Sequence, residues 1–391
     1  MVVFLAGILI GQTNRIDSNA KGPEVMLRHR CTFTLLAAAL ACGHACAQAP
    51  LLKTNTLTLK TNSPILKNNA AAAAAPSLDP HAGETKAERN ARMAWWRAAK
   101  FGLFIHWGLY AVPAGTWDGK QIGSIGEWIM HTAKIPVKDY AALAPQFDPT
   151  QFNAETWVSI AQAAGMKYIV ITAKHHDGFA MFHSKIDPFN IYDATPFKRD
   201  PVAEMAAACK KHGLKFGVYY SQAQDWHHPD GAAINGGHWD AAQDGDLHAY
   251  VKNIAAPQAR ELMAYHPAIL WWDTSVDMSH DDIALLTVPL ALDPGLIFNN
   301  RLGNGIPEDT ETPEQNIPAR GFPGKDWETC MTINDTWGYK SYDTNFKPTE
   351  MLLRNLIDIA GKGGNYLLNV GPDATGVIPA PEVQRLREVG A

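Results

Sequence analysis

A run of five apolar residues, Ala268 to Trp272, leads directly into the carboxylate of Asp273. The run is short and rich in the aromatic and β-branched residues that strands favour. Such a run is typical of a strand buried on both faces, as in a parallel sheet covered by helices. The pattern therefore predicts a strand with Asp273 at the point where it leaves the core. A single aspartate in this place is also typical of a turn or a helix cap, so its role depends on the rest of the chain.

Runs of the same kind recur, with helical segments between most of them. Strands are predicted at 101–105, 167–172, 215–220, 268–273, 296–300, 327–333 and 364–370. Helices are predicted at 91–100, 153–164, 201–212, 246–265 and 350–360. Together with the short segment 126–130 this makes about eight strands, and their alternation with helices predicts an α/β fold of the (β/α)8-like, TIM-type barrel class.

Polar residues collect where these strands end. They are His106, Glu127 with Trp128, His175 with His176, Tyr219, Asp273 and Arg301. Because the carboxyl ends of barrel strands open on one face, which is the catalytic face of such barrels, we expect these residues to be neighbours. Adjacent histidines beside an aspartate also occur in metal sites, although no helical HxxxH motif or cysteine pair completes one. A neutral imidazole is also a good hydrogen-bond partner for a sugar hydroxyl. His175 and His176 could equally be structural residues.

The composition is that of an ordinary globular protein and excludes some classes of function. The 391 residues are 46% hydrophobic and carry a formal net charge of -5, without a basic block. Neither nucleic acid nor an anionic membrane surface is therefore an expected partner. The 12 tryptophans are suited to stacking on sugar rings, although core packing accounts for many such residues. Beyond the N-terminal region only Cys209 and Cys330 remain, so one disulfide is possible and no disulfide framework is implied.

The first 87 residues differ in character from the remainder. Met26 precedes two arginines, an apolar Leu-Ala run and the small-residue sequence Ala45-Cys46-Ala47, the order of a secretory signal peptide. We expect residues 1–47 to be a start assigned too early plus a signal peptide, with export to the periplasm or beyond and no membrane attachment after cleavage. Residues 48–87 are predicted to be a disordered linker, and residues 88–391 a single barrel domain.

A pair of carboxyl groups would give the barrel face the chemistry of glycoside hydrolysis. That reaction needs a nucleophile or base and a proton donor on opposite sides of the scissile bond. If Asp273 is one of them, the partner is expected in the long acidic segment 303–330. Glu314 lies there on a segment stiffened by Pro313, and Glu328 lies at the start of a predicted strand. An acidic loop is also typical of solvated surface, so the pattern alone leaves both glutamates open.

Ten short motifs follow one another from about Trp95 to the end of the chain. They are FGLFIHWG, GEW, KHHDGF, GVYYS, LWWD, NNR, TPEQ, WETC, WGY and GGNYLLNVGP. In this order they resemble the catalytic domain of the α-L-fucosidases of glycoside hydrolase family 29. The resemblance implies an exo-acting, retaining α-L-fucosidase on an irregular barrel, with no metal or other cofactor. Its substrates would be fucosylated oligosaccharides or glycoconjugates.

The resemblance also implies roles for individual residues. Asp273, at the end of LWWD, matches the nucleophile of the family. Positions that hold the fucose ring are matched by His106, Glu127, Trp128, His175, His176, Tyr219, Trp271 and Arg301, and Trp337 of WGY matches an aromatic residue beside the sugar's methyl group. The acid/base varies in position among family members. We assign it to Glu314, with Glu328 as the second candidate.

Two other functions remain open at this point. A decayed enzyme would keep the pocket as a non-catalytic fucose-binding protein. A metal-dependent barrel hydrolase would use His106, His175 and His176 as ligands. Family members commonly carry a β-sandwich domain after the barrel, and we expect that domain to be absent or truncated here, with the last barrel helix cut short at Ala391. The sequence carries no signature of oligomeric state.

Overall fold

The computed structural model describes residues 78–391, except residues 235, 275, 277 and 304. The predicted signal peptide and most of the predicted linker therefore lie outside the described residues. The described end of that linker is folded, because the side chains of Thr85 and Glu88 form reciprocal hydrogen bonds with the backbone at the start of the first helix. The predicted boundary at residue 88 thus falls inside that helix.

The elements alternate along the chain as predicted. The helices are α1 (Lys86–Ala99), α2 (Ile129–Thr132), α3 (Val137–Ala141), α4 (Ala154–Ala163), α5 (Pro201–His212), α6 (Leu247–Tyr250), α7 (Ala256–Leu262), α8 (His280–Leu290), α9 (Thr349–Gly361) and α10 (Ala380–Gly390). The strands are β1 (Phe101–Ile105), β2 (Thr116–Trp117), β3 (Lys120–Gln121), β4 (Tyr168–Lys174), β5 (Lys215–Ser221), β6 (Ile269–Asp273), β7 (Ile297–Phe298), β8 (Thr310–Glu311), β9 (Asp326–Thr332) and β10 (Asn365–Val370).

Eight of the strands form one parallel sheet in the order β7-β6-β5-β4-β1-β10-β9-β8. The two edge strands meet, because Asn299 pairs with Thr310 in a parallel bridge and the backbone N–H of Asn300 donates to the carbonyl of Thr310 over 3.0 Å. The sheet is thereby nearly closed, and the predicted (β/α)8 TIM-type barrel is confirmed. It is irregular at the seam, where β7 and β8 have two residues each.

Four elements differ from the prediction. Residues Gly126–Trp128 form a 3₁₀ turn that leads into α2, so this segment is not a strand of the sheet. The eighth strand is instead β8, which is too short for its two residues to show any periodicity. The helix predicted at 246–265 is interrupted by a π-helical turn, Val251–Ala255, between α6 and α7. Helix α8 was not predicted.

Buried side chains form two layers on either side of the sheet. The outer layer lies between the strands and the surrounding helices, and it includes Leu103, Ile105 and Trp272. The inner layer fills the barrel and includes Phe104, Tyr168 and Trp271. Successive residues of a strand alternate between the layers, so residues two apart, such as Phe104 and His106, face the barrel interior together.

Helix α1 covers the amino-terminal ends of the strands. Met93 and Trp96 pack into the inner layer, and the carbonyl of Trp96 accepts a hydrogen bond from Asn365 at the start of β10. Three arginines of the helix reach across the seam: Arg92 pairs with Asp309, and Arg89 and Arg97 pair with Asp326. The helix therefore closes one end of the barrel and leaves the carboxyl end open.

Two further sequence expectations concern residues that the structure describes. Within residues 78–391 as described, no helix combines the length and apolar character needed to cross a membrane. Cys209 and Cys330 are both buried and free, so they do not form the one disulfide that the cysteine count allowed.

Candidate active site

A cavity of about 170 Å³ opens at the carboxyl end of the barrel. It is lined by Phe104, His106, Ile125, Glu127, Trp128, His175, His176, Tyr219, Trp271, Asp273, Thr274, Arg301, Glu314, Cys330 and Trp337. Every residue that the sequence assigned to the site is present except Glu328. The cavity thus brings together residues separated by more than 200 positions in the chain. They come from strands β1, β4, β5 and β6 and from the segments after β7 and β8.

The carboxylate of Asp273, the last residue of β6, accepts hydrogen bonds from two side chains and from the backbone N–H of Thr274. The hydroxyl of Tyr219 donates to its Oδ2 over 2.7 Å, and Nη1 of Arg301 donates to its Oδ1 over 2.9 Å. Burial alone would raise the pKa of Asp273, but the Arg301 charge and the Tyr219 hydrogen bond outweigh it and hold the pKa below its ordinary value. The carboxylate is therefore ionised at neutral pH.

Glu314 lies on the other side of the same guanidinium. Its Oε2 is 3.0 Å from Nη2 of Arg301, and its side chain is 43% exposed. The segment is fixed by backbone pairing with β9, since the N–H of Cys330 donates to the carbonyl of Pro313 and the N–H of Gln315 to the carbonyl of Cys330. The side chains of Asp273 and Glu314 thus contact the same guanidinium, that of Arg301, at the mouth of the cavity.

Glu328 lies deeper, towards the closed end of the barrel. It is 2% exposed and pairs in register with Asn365, the first residue of β10. Its two oxygens accept hydrogen bonds from the hydroxyl of Tyr168 and from Nε1 of Trp271. Among the described residues of β9, Cys330 lines the cavity, whereas Glu328 does not.

The histidines of the cavity are buried and neutral. Burial lowers the pKa of His106 and of His176 to about 4 and that of His175 well below its ordinary value. Nδ1 of His106 lies 2.6 Å from Oδ1 of Asn369, and Nδ1 of His176 lies 2.7 Å from Oγ of Ser221. With Nδ1 as the donor in each case, Nε2 remains an acceptor for a substrate hydroxyl.

His175, His176 and Asp273 also offer the atoms of a metal site, because one potential ligand atom of each lies within 4.8 Å of the others. His106, a ligand in the metal-dependent alternative, is not part of this group. Asp273 is already bound by Arg301 at 2.9 Å, so a divalent cation would lie beside a guanidinium. This donor set suits a hydroxylated ligand better than a metal ion.

Glu127 is a third carboxyl group of the cavity. It is 1% exposed, and its Oε2 accepts a hydrogen bond of 2.7 Å from the backbone N–H of Gly338. Burial raises the pKa of Glu127 to about 8, which the Gly338 hydrogen bond only partly offsets. Glu127 is therefore largely protonated at neutral pH and can donate a hydrogen bond to a ligand, which an ionised carboxylate cannot.

One wall of the cavity is apolar. Phe104 lies 5.1 Å from Trp271 and 6.1 Å from Trp337, ring centroid to ring centroid, and Ile125 adds an aliphatic side chain. The sequence reasoning did not identify Phe104, Ile125, Thr274 or Cys330. Phe104 could have been found from strand alternation, since it precedes His106 by two residues on β1. The arrangement offers an ionised carboxylate, a second carboxyl group at the mouth, neutral acceptors and an apolar wall around one small ring.

Known proteins similar to this chain are α-L-fucosidases. The sequence profile of the family described as Alpha-L-fucosidase matches residues 66–391. The tissue α-L-fucosidase of Rattus norvegicus is 32% identical over 318 residues, covering 76% of this chain and 67% of the rat protein. The plasma α-L-fucosidase of Homo sapiens is 32% identical over 326 residues, covering 76% of this chain and 67% of the human protein.

Solved structures show the same likeness. The α-L-fucosidase AlfC of Lactobacillus casei, in complex with its α-L-fucose product, superposes with a TM-score of 0.73 at 39% identity, covering 77% of this chain and 97% of that chain. A variant of AlfC has also been solved with Fucα(1,6)GlcNAc. The α-L-fucosidase of Vibrio sp. strain EJY3 superposes with a TM-score of 0.71 at 36% identity, covering 77% of this chain and 56% of that chain. The chain therefore belongs to the α-L-fucosidases of glycoside hydrolase family 29 and is a glycosidase.

Proposed function

We propose that the protein removes terminal α-L-fucose from glycans by a retaining double displacement, with Asp273 as nucleophile and Glu314 as acid/base. The observation that carries this proposal is that Asp273 and Glu314 contact the same guanidinium, Arg301, at the mouth of a cavity for one sugar ring. A retaining enzyme needs its two carboxyl groups close together, at about 5 Å, because no water lies between the nucleophile and the sugar.

The reaction has two steps. In the first, the Asp273 carboxylate attacks the anomeric carbon, the glycosidic bond breaks, and Glu314 gives its proton to the departing oxygen, which leaves a fucosyl ester on Asp273. In the second, Glu314 removes a proton from a water molecule that attacks the same carbon and releases the Asp273 carboxylate. The exposure of Glu314 suits this role, because leaving group and water both enter from the open side of the cavity.

The remaining residues of the cavity match the two kinds of surface that L-fucose presents. Its hydroxyls can donate to Nε2 of the neutral His106 and His176, and Glu127 can donate to a hydroxyl oxygen. Its 6-deoxy methyl group fits the apolar wall of Phe104 and Trp337, and a sugar with a 6-hydroxyl there would leave a buried polar group without a partner.

Fucosylated glycans are the proposed substrates. A cavity of about 170 Å³ is smaller than the roughly 300–1,000 Å³ of pockets for drug-sized ligands, so it holds a single ring and favours exo action. The complexes of AlfC with α-L-fucose and with Fucα(1,6)GlcNAc support a fucosylated glycan as ligand.

The test is hydrolysis of 4-nitrophenyl α-L-fucoside by the purified protein, with the anomer of the first product read by proton NMR. We expect release of 4-nitrophenol and α-L-fucose as the first product. β-L-Fucose as the first product would exclude the double displacement. Calorimetric binding of fucose without any hydrolysis would instead support the non-catalytic alternative, and loss of activity with a chelator would support the metal-dependent one.

We also infer that the protein is exported, on the signal-peptide pattern of residues 26–47 alone. Expression of the full chain in a bacterium with a periplasm, followed by fractionation and N-terminal sequencing, tests this. Gln48 is expected as the first residue of the exported form, and an unprocessed cytoplasmic product would contradict the inference.

A further inference from the structure

Glu328 is a buried carboxyl group that the proposed reaction does not use. It lies inside the barrel below the cavity, and its oxygens are bound by Tyr168 on one side and by Nε1 of Trp271, at 3.0 Å, on the other. No arginine or lysine pairs with it in the described residues. Burial raises the pKa of Glu328 to about 7, which these two hydrogen bonds only partly offset. Burying a carboxyl group in a barrel interior costs free energy. Its presence there therefore calls for a reason other than stability.

Trp271 connects this carboxyl group to the cavity. Residues 271 and 273 lie two apart on β6, so the indole lines the cavity beside Asp273. The ring of Tyr219 stacks on the indole at 5.7 Å and 21°, and the guanidinium of Arg301 lies 4.7 Å from the centre of the same ring system. Trp271 is thus in contact with both side chains that donate to Asp273.

We propose that Glu328 is a positioning residue for the nucleophile: it fixes the indole of Trp271, against which Tyr219 and Arg301 are packed as they hold Asp273. This inference rests on the proposed role of Asp273. Glu328 touches neither the sugar nor the reacting atoms. Its hydrogen bond sets the rotation of the indole, and the indole in turn sets where the Tyr219 hydroxyl and the Arg301 guanidinium lie.

The physical reason is the precision that the reaction requires. The Nε1–H of Trp271 is a lone donor in an apolar interior, and without Glu328 it would have to seek another acceptor or remain unpaired. A turn of the indole that relieves this would shift the two groups packed on it. Misplacement of a reacting group by about 1 Å costs on the order of 100-fold in rate.

The first experiment compares Glu328→Gln with Glu328→Leu. The amide oxygen of glutamine can still accept from Trp271, so Glu328→Gln should keep kcat within about threefold of the parent enzyme, whereas Glu328→Leu should lower kcat by about 10- to 100-fold with little change in KM. Glu382→Gln is the matched control, because Glu382 is equally buried but accepts from the backbone of Gly371, outside the cavity. It should leave both constants unchanged.

The leaving group distinguishes positioning from acid/base catalysis. A positioning defect slows formation of the fucosyl ester from 4-nitrophenyl and 2,4-dinitrophenyl fucosides by the same factor. If Glu328 were the proton donor, the better leaving group and added azide would restore the Glu328→Leu variant, and the inference would be overturned. Parent-like kinetics of Glu328→Leu would overturn it as well.

A double-mutant cycle with Trp271→Phe tests the route through the indole. Phenylalanine keeps a ring at the site but has no Nε1–H, so once it is present the effect of Glu328→Gln or Glu328→Leu should shrink towards none. Undiminished, additive effects would show that Glu328 does not act through Trp271. If Glu328→Leu fails to fold, Trp271→Phe alone keeps the inference falsifiable: loss of the Nε1–H should lower kcat as loss of its acceptor does, and a parent-like kcat of Trp271→Phe would overturn the inference. Failure of the proposed function is separate, since the parent enzyme and Asp273→Ala report on it directly.

Discussion

Arg301 lies beside Asp273, with its Nη1 2.9 Å from Oδ1 of the carboxylate, and both side chains are mostly buried. The cation offsets the cost of burying the carboxylate and holds the pKa of Asp273 below its ordinary value. Nη2 of the same guanidinium contacts Glu314 at 3.0 Å. Arg301 therefore both keeps the proposed nucleophile ionised and positions the proposed acid/base.

Removal of this cation should move the pH dependence of the reaction. In Arg301→Met, burial of Asp273 is no longer opposed by a positive charge, so its pKa rises and the acid limb of kcat/KM moves to higher pH by about one unit or more. Arg301→Lys keeps the charge but cannot contact Asp273 and Glu314 through two separate nitrogens. Its acid limb should therefore move less, while kcat/KM still falls by about 10- to 100-fold. The measurement is the pH profile of kcat/KM with an aryl fucoside.

Arg354→Met is the control for this pair, because Arg354 lies on the surface of α9 and contacts only Glu350 among the described residues. Its profile should coincide with that of the parent enzyme. An acid limb that stays in place in Arg301→Met would mean that Arg301 does not set the charge of Asp273.

Replacement of Asp273 should remove the nucleophile and leave the pocket. We expect Asp273→Ala to lose on the order of 10⁴-fold or more in kcat, as single removals from a reacting set do. Azide fits the space left by the carboxylate, and its attack from the same face should restore turnover and give the β-fucosyl azide, identified by NMR. Near-normal turnover of the variant without azide would remove Asp273 from the role.

Replacement of Glu314 should affect the substrates unequally. Loss of a general acid costs about 10²- to 10⁴-fold where the leaving oxygen is basic, as in Fucα(1,6)GlcNAc, and little where it is not, as in a 2,4-dinitrophenyl fucoside. Steady-state kinetics of Glu314→Ala with both substrates measures the difference, and azide should yield the α-fucosyl azide. Glu311→Ala is the matched control from the same acidic segment, because Glu311 contacts Lys325 and does not line the cavity.

The sequence was sufficient to predict the barrel and most of the cavity for one physical reason. A strand buried on both faces must be apolar throughout, so the first polar residue after it, as with His106 after β1, marks the rim. The parallel topology then brings all such ends to one face. This is why residues as far apart as His106 and Arg301 could be expected at one site without knowledge of their contacts.

The residue pattern did not distinguish Glu314 from Glu328, because both lie in one acidic stretch, and the preference for Glu314 came from the family resemblance. The difference comes from backbone pairing. Glu314 is placed at the rim by the bridge to Cys330, whereas Glu328, two residues before Cys330 on β9, faces the same interior nearer its closed end. The prediction of a strand at 126–130 was wrong, because five residues are too few to show whether apolar residues recur with the period of a strand or of a helix.

Stability should depend on the closed end of the barrel as well as on its core. The guanidinium of Arg92 contacts Asp309 and Glu84, each at 2.7 Å, and donates to the carbonyl of Leu296 before β7. Arg92→Met would leave the buried Asp309 without its cation, at a cost of about 3–5 kcal/mol in the free energy of unfolding. Urea denaturation followed by tryptophan fluorescence should show a lower midpoint at similar slope. Arg354→Met, which removes an exposed pair, should change the value by less than about 1 kcal/mol.

Glu127 gives the last prediction, a stability that depends on pH. Its pKa rises from an ordinary 4.5 to about 8 on folding, so between these values the folded state keeps a proton that the unfolded chain has released. Because the folded state binds more protons than the unfolded chain, the contribution of Glu127 to the free energy of unfolding falls as pH rises through that interval. Glutamine does not titrate, so the free energy of unfolding of Glu127→Gln, relative to the parent, should increase by up to about 1.3 kcal/mol per pH unit from roughly pH 5 to 8 and level off above. Urea titrations at several pH values measure this difference. The exposed Glu350→Gln should show no slope, and a flat difference for Glu127→Gln would mean that Glu127 is ionised in the folded protein at neutral pH.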